Sequence, residues 1–214
     1  MTSRTQNSSN AKTLLIWLGG AVAVIGLVAV VISGAGGSSG GADHPDLQGD
    51  PVVTGDFLQQ FPSTGVENSA GSPVPEVSGV DFDGNPVSIV KNGKPKMLLF
   101  LAHWCPHCRD EVPEVQAYLE TNTIPDEVDF ISVATSIDRG RVNFPPSSWL
   151  EGENWSVPVI LDSAGSEAYV AYGAGAFPFW AMVDADGNLI TRVSGAGQVD
   201  LAAWSALLAD SVAG

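Results

Sequence analysis

The longest apolar run of the chain lies near its N-terminus, where residues 14–32 contain no charged side chain. Nineteen residues of this kind are long enough to cross the hydrocarbon core of a bilayer. Basic residues precede the run, at Arg4 and Lys12, whereas residues 33–56 contain four aspartates and no Lys or Arg. This asymmetry predicts a cytoplasmic N-terminus and an extracytoplasmic remainder.

The pattern therefore divides the N-terminal part into a cytoplasmic segment at 1–12 and a single transmembrane signal anchor at 13–33. A cleavable signal peptide is the alternative, because Ser33-Gly34-Ala35 has the small residues of a cleavage site. Residues 34–76 are rich in Gly, Ser, Pro and Asp, and they are predicted to form a flexible extracytoplasmic tether. The remaining residues, 77–214, have the size of one domain.

Short hydrophobic runs separated by turn residues predict strands and helices within this domain. Two strands flank Asp83-Gly84-Asn85 and another two flank Asp184-Ala185-Asp186-Gly187, so each pair is predicted to form a hairpin. The predicted strands are 77–82, 86–90, 97–102, 128–137, 157–161, 179–183 and 188–193, and the predicted helices are 105–120, 147–152, 166–172 and 199–212. This order predicts an α/β domain, with a mixed β-sheet flanked by helices on both faces.

Cys105 and Cys108 are the only cysteines of the chain, and they lie where the predicted strand 97–102 meets the next helix. Residues three positions apart on a helix are neighbours, and their separation suits a disulfide. The N-terminus of a helix has unpaired N–H groups and a partial positive charge, which stabilise the thiolate of Cys105. Because the thiolate is the nucleophile, we predict disulfide exchange with Cys105 as the exposed nucleophile and Cys108 as the resolving cysteine.

Two other interpretations of the cysteine pair are a structural disulfide and a metal site. A disulfide across two residues constrains the unfolded chain very little. A closed zinc site takes four ligands, and the chain has no second CxxC and no HxxxH motif. We therefore predict no metal and no cofactor beyond the redox-active Cys105–Cys108 disulfide. A copper chaperone that uses the cysteines with His103 or His107 is kept as a non-enzymatic alternative.

The net charge of the chain limits the classes of partner that the domain can bind. The chain beyond residue 33 contains all 24 acidic residues and seven of the nine basic ones, which gives it a net charge of −17. Nucleic acids and anionic lipid surfaces repel such a domain, so no nucleic acid is predicted to bind. Contact with the membrane is predicted only through the N-terminal helix.

The domain resembles the membrane-anchored TlpA/ResA/DsbE-like thiol–disulfide oxidoreductases. The segments that carry the resemblance are 80–87, 93–95, 97–108 with Glu111 and Pro113, 158–162, 171–173, 177–178 and 183–187. The resemblance spans residues 74–212 and implies a three-layer thioredoxin-like fold. It also implies a bacterial cell-membrane protein that acts on cysteine-containing exported proteins and exchanges electrons with a membrane redox partner.

The resemblance implies roles for residues far from the cysteines in sequence. Pro178 corresponds to the cis-proline that lies against the disulfide in this family. The backbone just before that proline, which is Phe177 here, pairs with the incoming peptide strand in the family. We expect Trp104 and Trp180 to form walls of the site beside Cys105 and Pro178. Ordinary core burial is the alternative for both tryptophans.

The residues between the cysteines leave the direction of electron flow open. Pro106 and His107 give the motif the Pro-His sequence of the DsbA oxidants. A protonated His107 stabilises the Cys105 thiolate, and therefore the reduced form, which favours an oxidant. The family resemblance instead favours a dedicated reductant for cytochrome c maturation or for metal-site cysteines.

Two further positions bear on the thiol chemistry. His103 is expected either to add positive potential beside Cys105 or to pack as a partly exposed loop residue against Trp104. Thioredoxins carry a buried acid six residues before the first cysteine, where this chain has Leu99. A proton acceptor for the second cysteine must therefore come from elsewhere, such as Glu111 or water.

Overall fold

A five-stranded mixed sheet forms the centre of the protein in the computed structural model, which describes residues 48–212. In chain order the strands are β1 (Val52–Thr54), β2 (Glu76–Val80), β3 (Pro86–Ile89), β4 (Lys96–Leu101), β5 (Asp129–Ala134), β6 (Val159–Leu161), β7 (Phe179–Val183) and β8 (Leu189–Ser194). The helices are α1 (Pro106–Thr121), α2 (Pro146–Gly152), α3 (Glu167–Ala171) and α4 (Leu201–Asp210). The central sheet has the order β6-β5-β4-β7-β8, while β1, β2 and β3 form a separate antiparallel sheet.

Strand β4 lies in the middle of the central sheet, as its unbroken apolar sequence predicts. It pairs in parallel with β5 and antiparallel with β7, so the predicted mixed sheet is confirmed. All six of its residues are buried. Because α1 leaves β4 directly and returns the chain to β5, the cysteines lie at the C-terminal end of the central strand.

The core consists of one apolar layer on each face of the central sheet. On one face, Leu99 of β4 belongs to the cluster that contains Val112 of α1 and Leu208 of α4. On the other face, Phe100 belongs to the cluster that contains Tyr172 and residues of β2 and β3. Successive residues of β4 thus alternate between the two faces, as the geometry of a strand requires. This arrangement gives the predicted layers.

Strand β5 ends earlier than the sequence predicts, at Ala134 rather than at residue 137. Ser136 has a positive φ of 49°, which turns the chain out of the sheet. The residues that follow form a loop at 135–145, which we call the β5–α2 loop. Asn143 in this loop also has a positive φ, of 60°.

The predicted flexible tether is wrong for residues 48–76, because this stretch packs against the domain. Strand β1 pairs with β2, and Leu58 is buried with its N–H donated to the carbonyl of Ala171. Glu67 accepts two hydrogen bonds from the fully buried guanidinium of Arg192, at 2.7 and 2.9 Å. The Gly- and Ser-rich composition suggested flexibility, but these few specific contacts hold the segment in place. The domain therefore begins well before residue 77.

The other N-terminal predictions, the segment at 1–12, the anchor at 13–33 and the tether at 34–47, lie outside the described residues. Between residues 48 and 212, no helix combines the length and the apolar character that a bilayer span requires.

Candidate active site

The two cysteines occupy the start of α1, where strand β4 ends. Cys105 precedes the first helical residue and has extended backbone angles, and Pro106 occupies the first position of the helix. A proline fits there because the first N–H groups of a helix have no intrahelical partner. Cys108 follows on the same turn, and both cysteines are free thiols. The structure therefore shows the dithiol form of the pair.

Cys105 faces the peptide group that precedes Pro178. Its Sγ lies 3.8 Å from the carbonyl oxygen of Phe177, a weak thiol hydrogen bond. The Phe177–Pro178 peptide bond is cis, as the family resemblance implies. Cys105 is only 6% exposed, so the expectation of an exposed cysteine is wrong. The segment at Phe177 lies against the sulfur, so we expect a substrate to approach along this segment.

The backbone of Phe177 is available for pairing. Strand β7 begins only at Phe179, where the ladder to β4 starts. Among the residues that the structure describes, neither the N–H nor the C=O of Phe177 has a backbone partner. Pro178 has no N–H, and its carbonyl accepts from Gly195 at 2.9 Å. One residue next to Cys105 thus presents an unpaired donor and an acceptor to an extended peptide.

Cys108 lies behind Cys105 and is fully buried. Its Sγ accepts a hydrogen bond of 3.5 Å from the N–H of Ala102. Burial raises the pKa of the Cys108 thiol far above its usual range, because the thiolate would lose its hydration. Cys108 is therefore a protonated thiol in the resting dithiol form.

Glu111 lies one helical turn after Cys108 and is the buried acid of the site. Its carboxylate accepts from the indole Nε1 of Trp180 at 2.9 Å and from the N–H of Gly197 at 2.7 Å. Burial raises the pKa of the Glu111 carboxyl despite these hydrogen bonds. The carboxylate also borders a cavity of about 260 Å³, which leads between α1 and α4. Glu111 is thus the candidate proton acceptor for Cys108.

Trp180 does not form a wall of the substrate site, and that prediction is wrong. The side chain is fully buried, stacks on Phe130 at 5.6 Å between ring centroids, and donates to Glu111. Trp180 is the second residue of strand β7, and the first two side chains of this strand enter opposite core layers, Phe179 on one face and Trp180 on the other. Core burial, the alternative for this tryptophan, is what the structure shows.

Trp104 and Phe177 instead form the aromatic wall beside Cys105. Their rings meet edge to face with centroids 5.8 Å apart. Tyr169 of α3 stacks on the other side of Phe177 at 4.5 Å, and burial raises the pKa of its phenol to about 12. Sequence reasoning missed Tyr169, since an aromatic residue on a short helix eight positions before Phe177 carries no signal of its own.

His103 is buried and neutral, so it supplies no positive charge to Cys105. Its Nε2 accepts from the N–H of Asp138 at 3.1 Å, which leaves Nδ1–H to donate to the carbonyl of Val142 at 2.8 Å. Burial lowers the pKa of the His103 imidazole. Both expectations for this residue are therefore wrong: it fastens the β5–α2 loop. His107, in contrast, is exposed on the first turn of α1.

The copper-chaperone alternative finds no support in this geometry. Across residues 48–212 no group of three or more His, Cys, Asp or Glu side chains is arranged to hold a metal ion. Both ring nitrogens of His103 are already engaged with backbone groups.

Comparisons with known proteins give the family. The Redoxin family profile matches residues 69–203, which is more than half of the chain. The sporulation thiol-disulfide oxidoreductase A of Bacillus subtilis (strain 168) is 25% identical over 84 residues, 39% of this chain and 50% of that protein. The chain thus spans about half the length of this curated relative.

Two solved structures share the fold. A thiol:disulfide interchange protein of the thioredoxin family from Chlorobium tepidum aligns with a TM-score of 0.50 and 24% identity, over 68% of this chain and 99% of that one. A solution structure from Bacteroides thetaiotaomicron aligns with a TM-score of 0.56 and 16% identity, over 74% and 94% of the two chains. The predicted thioredoxin-like fold is confirmed. The chain belongs to the Redoxin family and has a thioredoxin-like fold.

Proposed function

We propose that this protein is an extracytoplasmic thiol–disulfide oxidoreductase that exchanges its Cys105–Cys108 pair with the cysteines of exported proteins. The observation that carries the proposal is the placement of the two sulfurs. Cys105 Sγ faces the carbonyl of Phe177, which has no backbone partner within residues 48–212 and where a peptide strand can dock, and Cys108 is buried one turn behind it. A nucleophile beside a docking strand and a protected second thiol are the two parts that disulfide exchange requires.

The first step joins enzyme and substrate. The Cys105 thiolate attacks one sulfur of a substrate disulfide, and the second substrate sulfur leaves as a thiolate that takes up a proton. The product is a mixed disulfide between Cys105 and the substrate. Hydrogen bonds between the substrate backbone and the N–H and C=O of Phe177 orient the attacked sulfur.

The second step releases the substrate. Cys108 loses its proton and attacks the sulfur of Cys105, and the remaining substrate sulfur leaves as a thiolate. Two electrons have then passed to the substrate, and the enzyme holds the Cys105–Cys108 disulfide. We assign the proton of Cys108 to Glu111, directly or through water in the adjoining cavity, because residues three apart share a helix face. Run in reverse, the same steps oxidise a substrate dithiol.

The proposed location follows from the predicted anchor at 13–33 and the charge asymmetry around it. An oxidising compartment supplies substrates with disulfides. A membrane dithiol or disulfide partner, with which this protein would exchange electrons, is part of the same proposal.

A second candidate function is a dedicated reductant, and two observations favour this direction. His103 is neutral, so it does not stabilise a thiolate at Cys105. Burial keeps Cys108 protonated, so the reduced form gains no stability from a second thiolate. Each thiolate that the protein leaves unstabilised makes the dithiol a better electron donor.

The test uses the purified full-length chain in detergent. Equilibration with glutathione redox buffers, followed by acid quenching and mass spectrometry of the cysteines, gives the reduction potential. The reduced Cys108→Ala variant should accumulate a mixed disulfide when it reacts with a peptide disulfide, whereas Cys105→Ala should not. Failure of the wild type to exchange any disulfide would overturn the proposed function, and a potential as oxidising as that of DsbA, about −120 mV, would overturn the reductant direction.

A further inference from the structure

The cations of this acidic protein fall into two groups. Each lysine of the described segment and Arg192 form a salt bridge with a carboxylate of the chain: Lys91 with Asp186 at 3.3 Å, Lys94 and Lys96 with Asp129 at 3.8 and 3.2 Å, and Arg192 with Glu67 at 2.7 Å. Arg109, Arg139 and Arg141 are the other cations there. Between residues 48 and 212, no carboxylate lies within salt-bridge distance of these three arginines.

The three unpaired arginines belong to the segments that build the redox site. Arg109 directly follows Cys108 on α1, and its side chain is exposed. Arg139 and Arg141 lie in the β5–α2 loop, and both are exposed. Both segments also contain carboxylates: Asp110, Glu111, Glu114 and Glu120 on α1, and Asp138 in the loop. Oδ1 of Asp138 is already engaged with the N–H of Gly140 at 2.8 Å.

The β5–α2 loop is fastened to the residues just before Cys105. Three hydrogen bonds join the loop to His103, through Asp138, Val142 and the side-chain amide of Asn143. The indole Nε1 of Trp104 donates to the carbonyl of Ser136 at 2.7 Å. A loop held in this way presents its side chains in a fixed position relative to the nucleophile.

Arg141 lies at the edge of the substrate side of the site. Its guanidinium carbon is 4.3 Å from the centroid of the Trp104 ring, a cation–π distance. Trp104 contacts Phe177 edge to face, and the carbonyl of Phe177 faces Cys105. Val142, the next residue of the loop, is 58% exposed. A chain of direct contacts therefore connects Arg141 to the nucleophile.

We propose that Arg141 binds the carboxylate of an Asp or Glu close to the substrate cysteine, so that this site prefers acidic cysteine-containing segments. This inference rests on the proposed function of the same site. A guanidinium stacked by its face keeps its N–H edge free for a bidentate carboxylate. Arg109 and Arg139 extend the positive potential around the site. The rest of the surface is acidic and repels such a partner, so the partner binds only in the orientation that brings it to Cys105.

The experiment measures single-turnover reduction of peptide disulfides by the reduced full-length protein, with rapid quenching. The peptides place Glu, Gln or Lys on either side of each cysteine in otherwise identical sequences. We expect the Glu peptide to react roughly tenfold faster than the Gln peptide at low salt. That preference should shrink in high salt, because salt screens exposed charges.

Variants of Arg141 test whether this residue causes the preference for the Glu peptide. Arg141→Gln should bring the Glu-to-Gln rate ratio to about one, and Arg141→Glu should shift the preference toward the Lys peptide. Lys91→Gln is the matched control, because it removes one positive charge at the opposite end of β4 and should keep the wild-type ratio. An unchanged ratio in Arg141→Gln overturns the inference. No reduction of any peptide by the wild type would instead overturn the proposed function.

Discussion

The indole of Trp180 donates a hydrogen bond of 2.9 Å to the carboxylate of Glu111, and it thereby joins strand β7 to helix α1 one turn beyond Cys108. Leu99 occupies the position on the central strand where the thioredoxin resemblance implies an acid, and the buried acid of this site is Glu111 on α1. Two hydrogen bonds hold the Glu111 carboxylate, since the N–H of Gly197 also donates to it.

Substitution Glu111→Gln should slow the resolution of mixed disulfides. Glutamine can still accept from Trp180, but it cannot take the proton of Cys108, and general-base catalysis typically contributes a factor of about 100 or more. The lifetime of the mixed disulfide with a cysteine peptide, measured by acid quenching, should therefore increase. Glu120→Gln on the exposed face of the same helix is the control. Equal lifetimes in Glu111→Gln and in the wild type would exclude this proton transfer.

The buried pair of Glu67 and Arg192 should contribute strongly to stability. The hydrogen bonds to Arg192 lower the pKa of Glu67 even though its partial burial acts in the opposite direction. Glu67→Gln leaves the fully buried guanidinium without a counter-charge and should reduce the free energy of unfolding by about 3 kcal/mol. Urea denaturation followed by tryptophan fluorescence gives this value. Asp56→Asn, an exposed change in the same segment, should alter stability by less than about 0.5 kcal/mol.

The free energy of unfolding should decrease as the pH falls, because of the buried His103. Burial lowers the pKa of this imidazole in the folded state, so the unfolded state binds a proton first. The stability that neutral His103 contributes is fully present above the pKa of the unfolded chain, about 6.5. It is lost as the pH falls through the lower pKa of the folded state. Urea denaturation of the wild type and of His103→Gln at a series of pH values isolates this effect. The wild type should lose more stability on acidification, and parallel pH profiles would contradict the assignment.

Tyr169 should support substrate binding through its stacking on Phe177. Tyr169→Ala removes a ring pair worth about 1 kcal/mol, which should slow the reaction with cysteine peptides by roughly fivefold. The loss should appear in the second-order rate constant, while the reduction potential changes little. Val170→Ala, an exposed change at the next position of α3, is the matched control. A shifted potential with an unchanged rate would argue against a binding role.

The local pattern of apolar and polar residues, together with the spacing of the two cysteines, predicted most of the sheet and the redox pair. Strand β4 has six apolar or aliphatic-stemmed residues in a row, and the cysteines follow it at helical spacing, so short-range rules were sufficient there. The position of Pro178 beside Cys105 came from the family resemblance, because no local rule connects residues that far apart.

Two of the wrong predictions concern residues whose partners lie far away in the sequence. Glu67 and Arg192 are separated by 125 residues, so composition alone suggested a tether where the structure has a packed segment. His103 looks like a titratable loop residue until Asp138 and Val142 engage its two ring nitrogens. Trp180 was expected to form a wall of the site because it lies two residues after Pro178, but the alternation of β7 directs its side chain into the core.

The N–H and C=O of Phe177, which have no backbone partner among the described residues, have a consequence for turnover. Since Pro178 has no N–H, backbone pairing at this point contributes about two hydrogen bonds, worth roughly 1–3 kcal/mol in total. Binding of that strength alone corresponds to a dissociation constant weaker than about 1 mM. The covalent bond to Cys105 must therefore provide most of the residence time of a substrate, and resolution by Cys108 releases the substrate as soon as that bond is broken.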